Sequence, residues 1–391
     1  MSRTTRRRLS GTAGRGRDQV GSRARSPRHR VHGWTTAIVV VLAVPFVALA
    51  VFLLTVPAPV EGFDPEPWRP DRAIDLPEEA TTRAQVEDLT AEVIPGPEDI
   101  ATDAEGNLYT GDRDGVIWRY TPTGDAPVRF AVPDGRPLGL AFAPDGRLIV
   151  ANHGVGLQAI SPDGSVETLV DEVAGERILF ANDLDISDTG LVYFSDSSSR
   201  YNTTTLGDES SSYLLPDAID GRASGRLLVY DLGTGRSEVL LDRVYFPNGV
   251  ALTADGSALW VAESNRYRVL EYDLATGATR SVYENLPGTP DNIDRDADGR
   301  MLVAIYERNA ALDNLVLPYA ISREILIRLP SDLFVNEEDP LSGSILVARD
   351  TGSIVEFLTG LTPAATSVHP DAERWYLGAL LGQPIRWMPA P

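Results

Sequence analysis

The chain has 391 residues, no cysteine and a formal charge of −21, so disulfides, thiolate catalysis and Cys-ligated zinc are excluded. The charge is unevenly spread: residues 1–33 hold ten Arg against one Asp, a net of +9, and the remainder carries −30. A body this acidic repels phosphate, which argues against nucleic acid as a partner, and it tolerates cations.

Residues 1–33 are rich in Arg, Ser and Gly with almost no large apolar side chains, and read as a disordered basic cytoplasmic tail. Residues 34–56, Trp34 to Val56, carry no charge and are mostly Val, Ala, Leu and Ile. At about 1.5 Å per residue this run spans a hydrocarbon core of about 30 Å, so we predict a transmembrane signal anchor. The Arg cluster on its N-terminal flank puts the N-terminus in the cytoplasm and the body outside, a single-pass plasma-membrane topology. A cleaved signal peptide is the alternative; the run is long for one, and no convincing small-x-small cleavage site follows. Residues 57–81 form a Pro-rich linker, with six prolines between Pro57 and Glu79, expected to be extended and to hold the domain off the membrane.

From residue 82 to 391 short apolar strands alternate with Asp/Gly turns. One unit recurs: strand, Asp-x-Gly or Asp-Gly turn, strand. It appears as IATDAEGNLYTG, LAFAPDGRLIVAN, LDISDTGLVYFSD, VALTADGSALWVAE, IDRDADGRMLVAI and, degraded, TSVHPDAERWYLGA. The turn glycines Gly106, Gly146, Gly190, Gly256 and Gly299 are spaced by 40, 44, 66 and 43 residues, and Ala372 follows 73 after the last. Three spacings fit one four-stranded blade, and two fit a blade plus an insertion. The prediction is an all-β fold, a six-bladed β-propeller behind an N-terminal transmembrane helix, its ring closed by a strand near Val86 to Val93 pairing with the last blade.

In a propeller the innermost strands line a central channel. Eight residues before successive turn glycines stand Glu98, Leu138, Asn182, Asn248 and Asp291. Four of these five symmetric positions bear oxygen. Two carboxylates and two amides suit Ca²⁺, which takes hard oxygen ligands in irregular geometry, and do not suit zinc or copper. Asn292 offers a further oxygen. Singly, such residues also cap strand ends or bind channel water.

The same segments carry a resemblance. PGPEDI, FANDLD with YFSDSSSRY, FPNGVAL and PGTPDNI resemble signature segments of the strictosidine synthase-like proteins. Those group with gluconolactonases, the senescence marker protein 30 family and paraoxonases among calcium-dependent six-bladed propellers. The resemblance covers about residues 84–388 and implies calcium ligands at Glu98, Asn182, Asn248 and Asp291, with Asn292 where some members add one. It also implies that Asp291 both binds metal and handles a proton. Two positions depart from the family. Thr366 stands about where the plant synthases carry a catalytic glutamate, so amine condensation is not expected. His153 matches the second histidine of the paraoxonase pair, but the first falls on Leu138; His153 is kept as a secondary candidate base or substrate contact.

The expected activity is a membrane-anchored, calcium-dependent hydrolase of small-molecule lactones or aryl esters. The alternative is a non-catalytic, calcium-stabilised propeller that binds a cell-envelope partner. Asp183 and the run Asp196 to Ser199 are expected to hold the metal loop through hydrogen bonds or to form ordinary strand-end turns. The apolar insertion at 309–335 is expected to cap the channel mouth, to lie against the membrane, or simply to pack on a blade.

Overall fold

The repeat folds because its turn demands a left-handed residue. Gly106, Gly146, Gly190, Gly256 and Gly299 have φ between +65° and +84°, a region where only glycine is free of strain. Each donates its N–H to the carbonyl three residues earlier, closing a tight hairpin between the first two strands of a blade. The computed structural model describes residues 43–66, 68–76, 78–207, 213–330, 343–349 and 352–390.

The described strands build six antiparallel blades. Their inner strands are Ile100–Thr102, Arg136–Phe142, Ala181–Ile186, Pro247–Leu252, Gly288–Arg295 and Ala365–Pro370. The ring closes as expected. The last blade takes three strands from the C-terminal part of the chain, and its fourth is Glu87–Asp88, antiparallel to Arg386–Pro389. One strand was not foreseen: Thr81–Arg83 adds in parallel to Ile354–Thr359, giving the fifth blade five strands. The apolar core lies between neighbouring sheets. Ile149, Leu157, Val192 and Phe194 fill one such layer and Trp260, Val303 and Leu346 another. The polar residues of the repeat are thereby left for the axis.

The linker departs from expectation. Residues 57–76, where described, are laid along the propeller. The Glu66 and Ile74 amides donate to Asp220 and Asn285 carbonyls at 3.1 and 2.8 Å. Arg222, Arg323 and Arg308 donate to the carbonyls of Gly62, Glu66 and Asp71 at 2.6, 2.6 and 2.8 Å. The reason is that a proline-interrupted strand has free carbonyls, which arginines satisfy, while Ala58, Val60 and Phe63 pack into an apolar cluster.

Residues 43–55 are helical. The rest of the predicted span, residues 34–42, and the basic tail lie outside the described residues. Among the described residues no helix is long and apolar enough to cross a membrane.

Candidate metal centre and active site

The inner strands change register where the candidate ligands sit. Ala181 pairs with Asp196 and Leu184 with Phe194, so Asn182 and Asp183 form a bulge. Asn248 and Gly249 bulge between Pro247 and Val250, and Asp291 and Asn292 between Pro290 and Ile293. Leu138 and the pair Thr366–Ser367 occupy the same place in their blades. A bulge inserts an extra residue, ends regular pairing and re-aims a side chain. Repeated around the ring, it concentrates polar side chains at one channel mouth.

All five candidate ligands are buried: Glu98, Asn182, Asn248, Asp291 and Asn292. The Asn248 amide nitrogen donates to an Asp291 carboxylate oxygen across two blades. Asn182 donates to Ser197 Oγ at 2.9 Å, and Ser197 donates to the Pro247 carbonyl at 2.6 Å. Ser195 donates to the Asn248 carbonyl at 2.7 Å, Ser264 to that of Pro290 at 2.6 Å and Thr366 to that of Glu98 at 2.6 Å. Hydroxyls thus stitch each ligand-bearing strand to the next blade. Of the serine run, Ser197 supports Asn182 directly, whereas Ser198 donates to Asp217 and Ser199 to the Ser224 carbonyl. Asp196 accepts the Phe180 amide at 2.9 Å and pairs with Arg226 at 2.6 Å, and Asp183 accepts the Val250 amide at 2.9 Å.

The amide oxygens are different. Oδ1 of Asn182, Asn248 and Asn292 are buried without a hydrogen-bond partner, an arrangement proteins avoid unless something fills it. Burial and then the charge of Glu98 push the Asp291 carboxyl well above the usual range. Asp99, which precedes the first inner strand, and Asp183 and Asp294, on the third and fifth, are also pushed up, Asp99 to about 7, with burial the largest cause. Three buried amide oxygens on neighbouring inner strands, with the carboxyl groups of Glu98 and Asp291 in each other's field, are the donor chemistry of a hard cation. Among the described residues no group of three or more His, Cys, Asp or Glu stands ready for a metal; the candidate set instead mixes two acids with amides.

Three residues at the site were missed by the sequence reasoning. Arg136 lies 2.6 Å from Glu98 Oε2. Tyr306 has its phenol held well above its usual range by burial, then by Asp291 and Glu98, so it lies within their field. Tyr213, from the insertion of the third blade, meets His153 edge-on at 4.7 Å.

Of the two parts expected for His153, base or substrate contact, its surroundings weigh against the first. Its ring stacks on Phe180 at 3.8 Å, and burial, then Arg136, push its pKa down to about 3. An imidazole with that pKa is neutral at pH 7 and is too weak a base to collect a proton. With Leu138, Phe180, Tyr213 and Phe246 it makes an apolar aromatic wall. The cover over this wall is the third blade's insertion. The described part of the 309–335 insertion packs behind it, through Ile327 against Tyr201 and Ile219; residues 331–335 lie outside the described residues.

Asp217, on the short helix Leu214–Asp220 of that cover, accepts hydrogen bonds from Ser198, Asn265 and Ser224. Burial outweighs them and pushes its pKa from 3.8 to about 7. Between those values the folded protein holds a proton that the unfolded chain has released. This group's stability is full below about pH 4 and is lost as pH rises through about 7. From pH 5 to pH 8 the native protein is expected to lose roughly 3 kcal/mol relative to Asp217→Asn, measured by denaturant unfolding at both pH values.

The SMP-30/Gluconolactonase/LRE-like region family model matches residues 97–313. The chain belongs to this family. STRICTOSIDINE SYNTHASE-LIKE 7 of Arabidopsis thaliana is 35% identical over 236 residues, 59% of this chain and 61% of that protein. The adipocyte plasma membrane-associated protein of Danio rerio is 35% identical over 240 residues, 56% of each chain. The chain thus matches about three-fifths of these relatives' own length. Two solved structures share the fold. A gluconolactonase from Xanthomonas campestris has a TM-score of 0.58 at 17% identity, covering 86% of this chain and 99% of that one. The calcium-binding protein regucalcin from Agrobacterium tumefaciens has a TM-score of 0.55 at 12% identity, covering 79% and 95%. At such identities the likeness shows the fold alone. The family description names gluconolactonase; the activity, substrate and metal of this chain rest on its own residues.

Proposed function

We propose that the chain is a membrane-anchored, calcium-dependent hydrolase of lactones or aryl esters. The observation that carries this reading is the set of three buried, unpartnered amide oxygens, on Asn182, Asn248 and Asn292, beside the carboxylates of Glu98 and Asp291. Each unsatisfied acceptor costs about 1–3 kcal/mol, a cost that an oxygen-seeking divalent cation removes while neutralising Asp291.

Calcium bound there would supply the charge that polarises an ester carbonyl. Asp291 takes the proton of the attacking water and returns it to the leaving alkoxide as the acyl C–O bond breaks. Asn182 and Asn248 orient the substrate. Neutral His153, Phe180, Tyr213 and Phe246 exclude water and receive an apolar acyl or aryl group better than a free sugar. Thr366, occupied with the Glu98 carbonyl, has no carboxylate with which to activate an amine. The anchor at residues 34–56, with the N-terminus cytoplasmic and the propeller outside at the plasma membrane, is supported by the uncharged run and by the described membrane association of the Danio rerio relative.

The test is turnover by the purified full-length chain on a panel of aromatic and aliphatic lactones and aryl esters, with calcium and with chelator. Chelator-sensitive hydrolysis is expected. If calcium binds and the fold is intact but no substrate turns over, the hydrolase reading fails and the calcium-stabilised binding propeller replaces it.

A further inference from the structure

We infer that residues 309–329 form a bilayer-contact face, seated on the outer surface of the membrane that residues 34–56 cross. The inference rests on the anchor reading above. From Asn309 to Ser322 the only charged residue is Asp313, and it is turned inward, accepting the Tyr267 hydroxyl at 2.7 Å and lying 3.8 Å from Arg308. The exposed positions of this stretch therefore carry no charge, on a body whose net charge is strongly negative. They include Leu315 at 64%, Tyr319 at 47% and Ile321 at 50% exposure. Exposed apolar residues clustered in this way mark a contact surface.

Chain continuity names the partner. Leu312, Val316 and Leu326 of the insertion share one apolar cluster with Ala58, Val60 and Phe63. Ala58 is two residues beyond Val56, where the charge-free run ends, and two residues reach at most about 7 Å. A bilayer crossed by that run has its outer surface within a few residues' reach of this cluster. The face is also preformed. Arg323, fully buried, donates to the carbonyls of Leu317, Glu66 and Ile219 at 2.8, 2.6 and 3.2 Å, locking the insertion to the linker and to the third blade. At the rim the Arg69 guanidinium lies 5.7 Å over the Tyr319 ring. A tyrosine with an arginine beside it suits the headgroup layer, ring toward the acyl boundary and cation toward phosphate. The insertion follows Glu307, which pairs with Gly288 at the start of an inner strand, so it shares an end of the propeller with the channel mouth. The mouth then opens at the membrane surface, and amphiphilic esters or lactones dissolved in the bilayer are the substrate class that reaches it.

Because the chain has no cysteine, single labels test this directly. Leu315→Cys, Ile321→Cys, Phe46→Cys and Asp188→Cys are each labelled with a fluorophore in the full chain, reconstituted in phosphatidylcholine vesicles with a minority of phosphatidylglycerol. Asp188 lies in an inner-strand turn at the opposite end of the propeller, and Phe46 is in the described helix. A headgroup nitroxide is expected to quench labels at 315 and 321 at least about threefold more than at 188, and an acyl-chain nitroxide to quench the label at 46. If 46 is quenched and 315 and 321 behave like 188, the contact face is overturned and the anchor stands. If 46 is also unquenched, the anchor fails and the inference falls with it.

Discussion

Asp291→Asn is expected to lower kcat/KM on any lactone or ester turned over by the native protein by roughly a thousandfold, and to weaken calcium binding at least about tenfold. Asparagine keeps the size of the side chain but removes its charge. Glu98 would then be the remaining carboxylate of the candidate set, and Arg136 is already bonded to one of its oxygens. The site's net charge would fall to near zero, and a divalent cation would no longer be compensated. The same substitution removes the proposed proton acceptor. Titration calorimetry with calcium, alongside steady-state kinetics at saturating calcium, separates the two parts. Recovery of full turnover at high calcium would leave Asp291 as a ligand and nothing more. A thousandfold loss in kcat that persists at saturation assigns it the proton as well.

Gly249→Ala is expected to cost about 3 kcal/mol or more, a fall in Tm of several degrees, and to abolish calcium binding with it. A methyl group at Gly249 would lie 2.3 Å from the Ile293 amide nitrogen, 2.5 Å from the Asp291 carbonyl oxygen and 2.6 Å from the Asn292 carbonyl carbon. All three are backbone atoms of the adjacent inner strand, so no side-chain rotation relieves the clash. The strands that carry Asn248 on one side and Asp291 and Asn292 on the other must move apart. Gly256→Ala is the control. That glycine has φ of +65° and nothing within 4 Å of the new methyl group, so it loses only the backbone term of about 1–2 kcal/mol and keeps the metal. Thermal unfolding with and without calcium reads both. Equal losses in the two variants would show that the close approach of the inner strands does not control the site.

The legible parts of this molecule were those encoded at fixed local spacing. An Asp-x-Gly turn is specified within four residues, so five blades follow from Gly106 to Gly299 and the sixth from the degraded repeat at Ala372, which leaves the strand near Val86 to Val93 to close the ring. Glu98, Asn182, Asn248 and Asp291 share one offset from those turns, and the structure buries all four and bonds Asn248 to Asp291. What was missed depends on partners distant in sequence. The bulges at Asn182, Asn248 and Asp291 are properties of cross-strand register, which no single strand displays. Arg136 stands two residues before Leu138, the apolar occupant of its blade's offset position, and a search at that position passes over it. Tyr213 lies in an insertion outside the repeat. His153 is singled out by its match to the second paraoxonase histidine, as base or substrate contact; its stacking on Phe180 and its burial, both set by partners distant in sequence, weigh against the base. The linker's composition suggests a spacer, but the apolar residues between its prolines find a surface to cover.

The proposed calcium site, one ion held by Glu98, Asn182, Asn248, Asp291 and Asn292 at the channel mouth, can be assayed by binding alone. Equilibrium dialysis of the chelator-stripped full-length protein against calcium, with metal analysis of the retentate, tests it most directly. One tightly held calcium per chain is expected in the native protein, and its loss in the Glu98→Gln, Asp291→Asn double variant. Native protein that retains no calcium, or a folded double variant that retains it unchanged, would rule this site out.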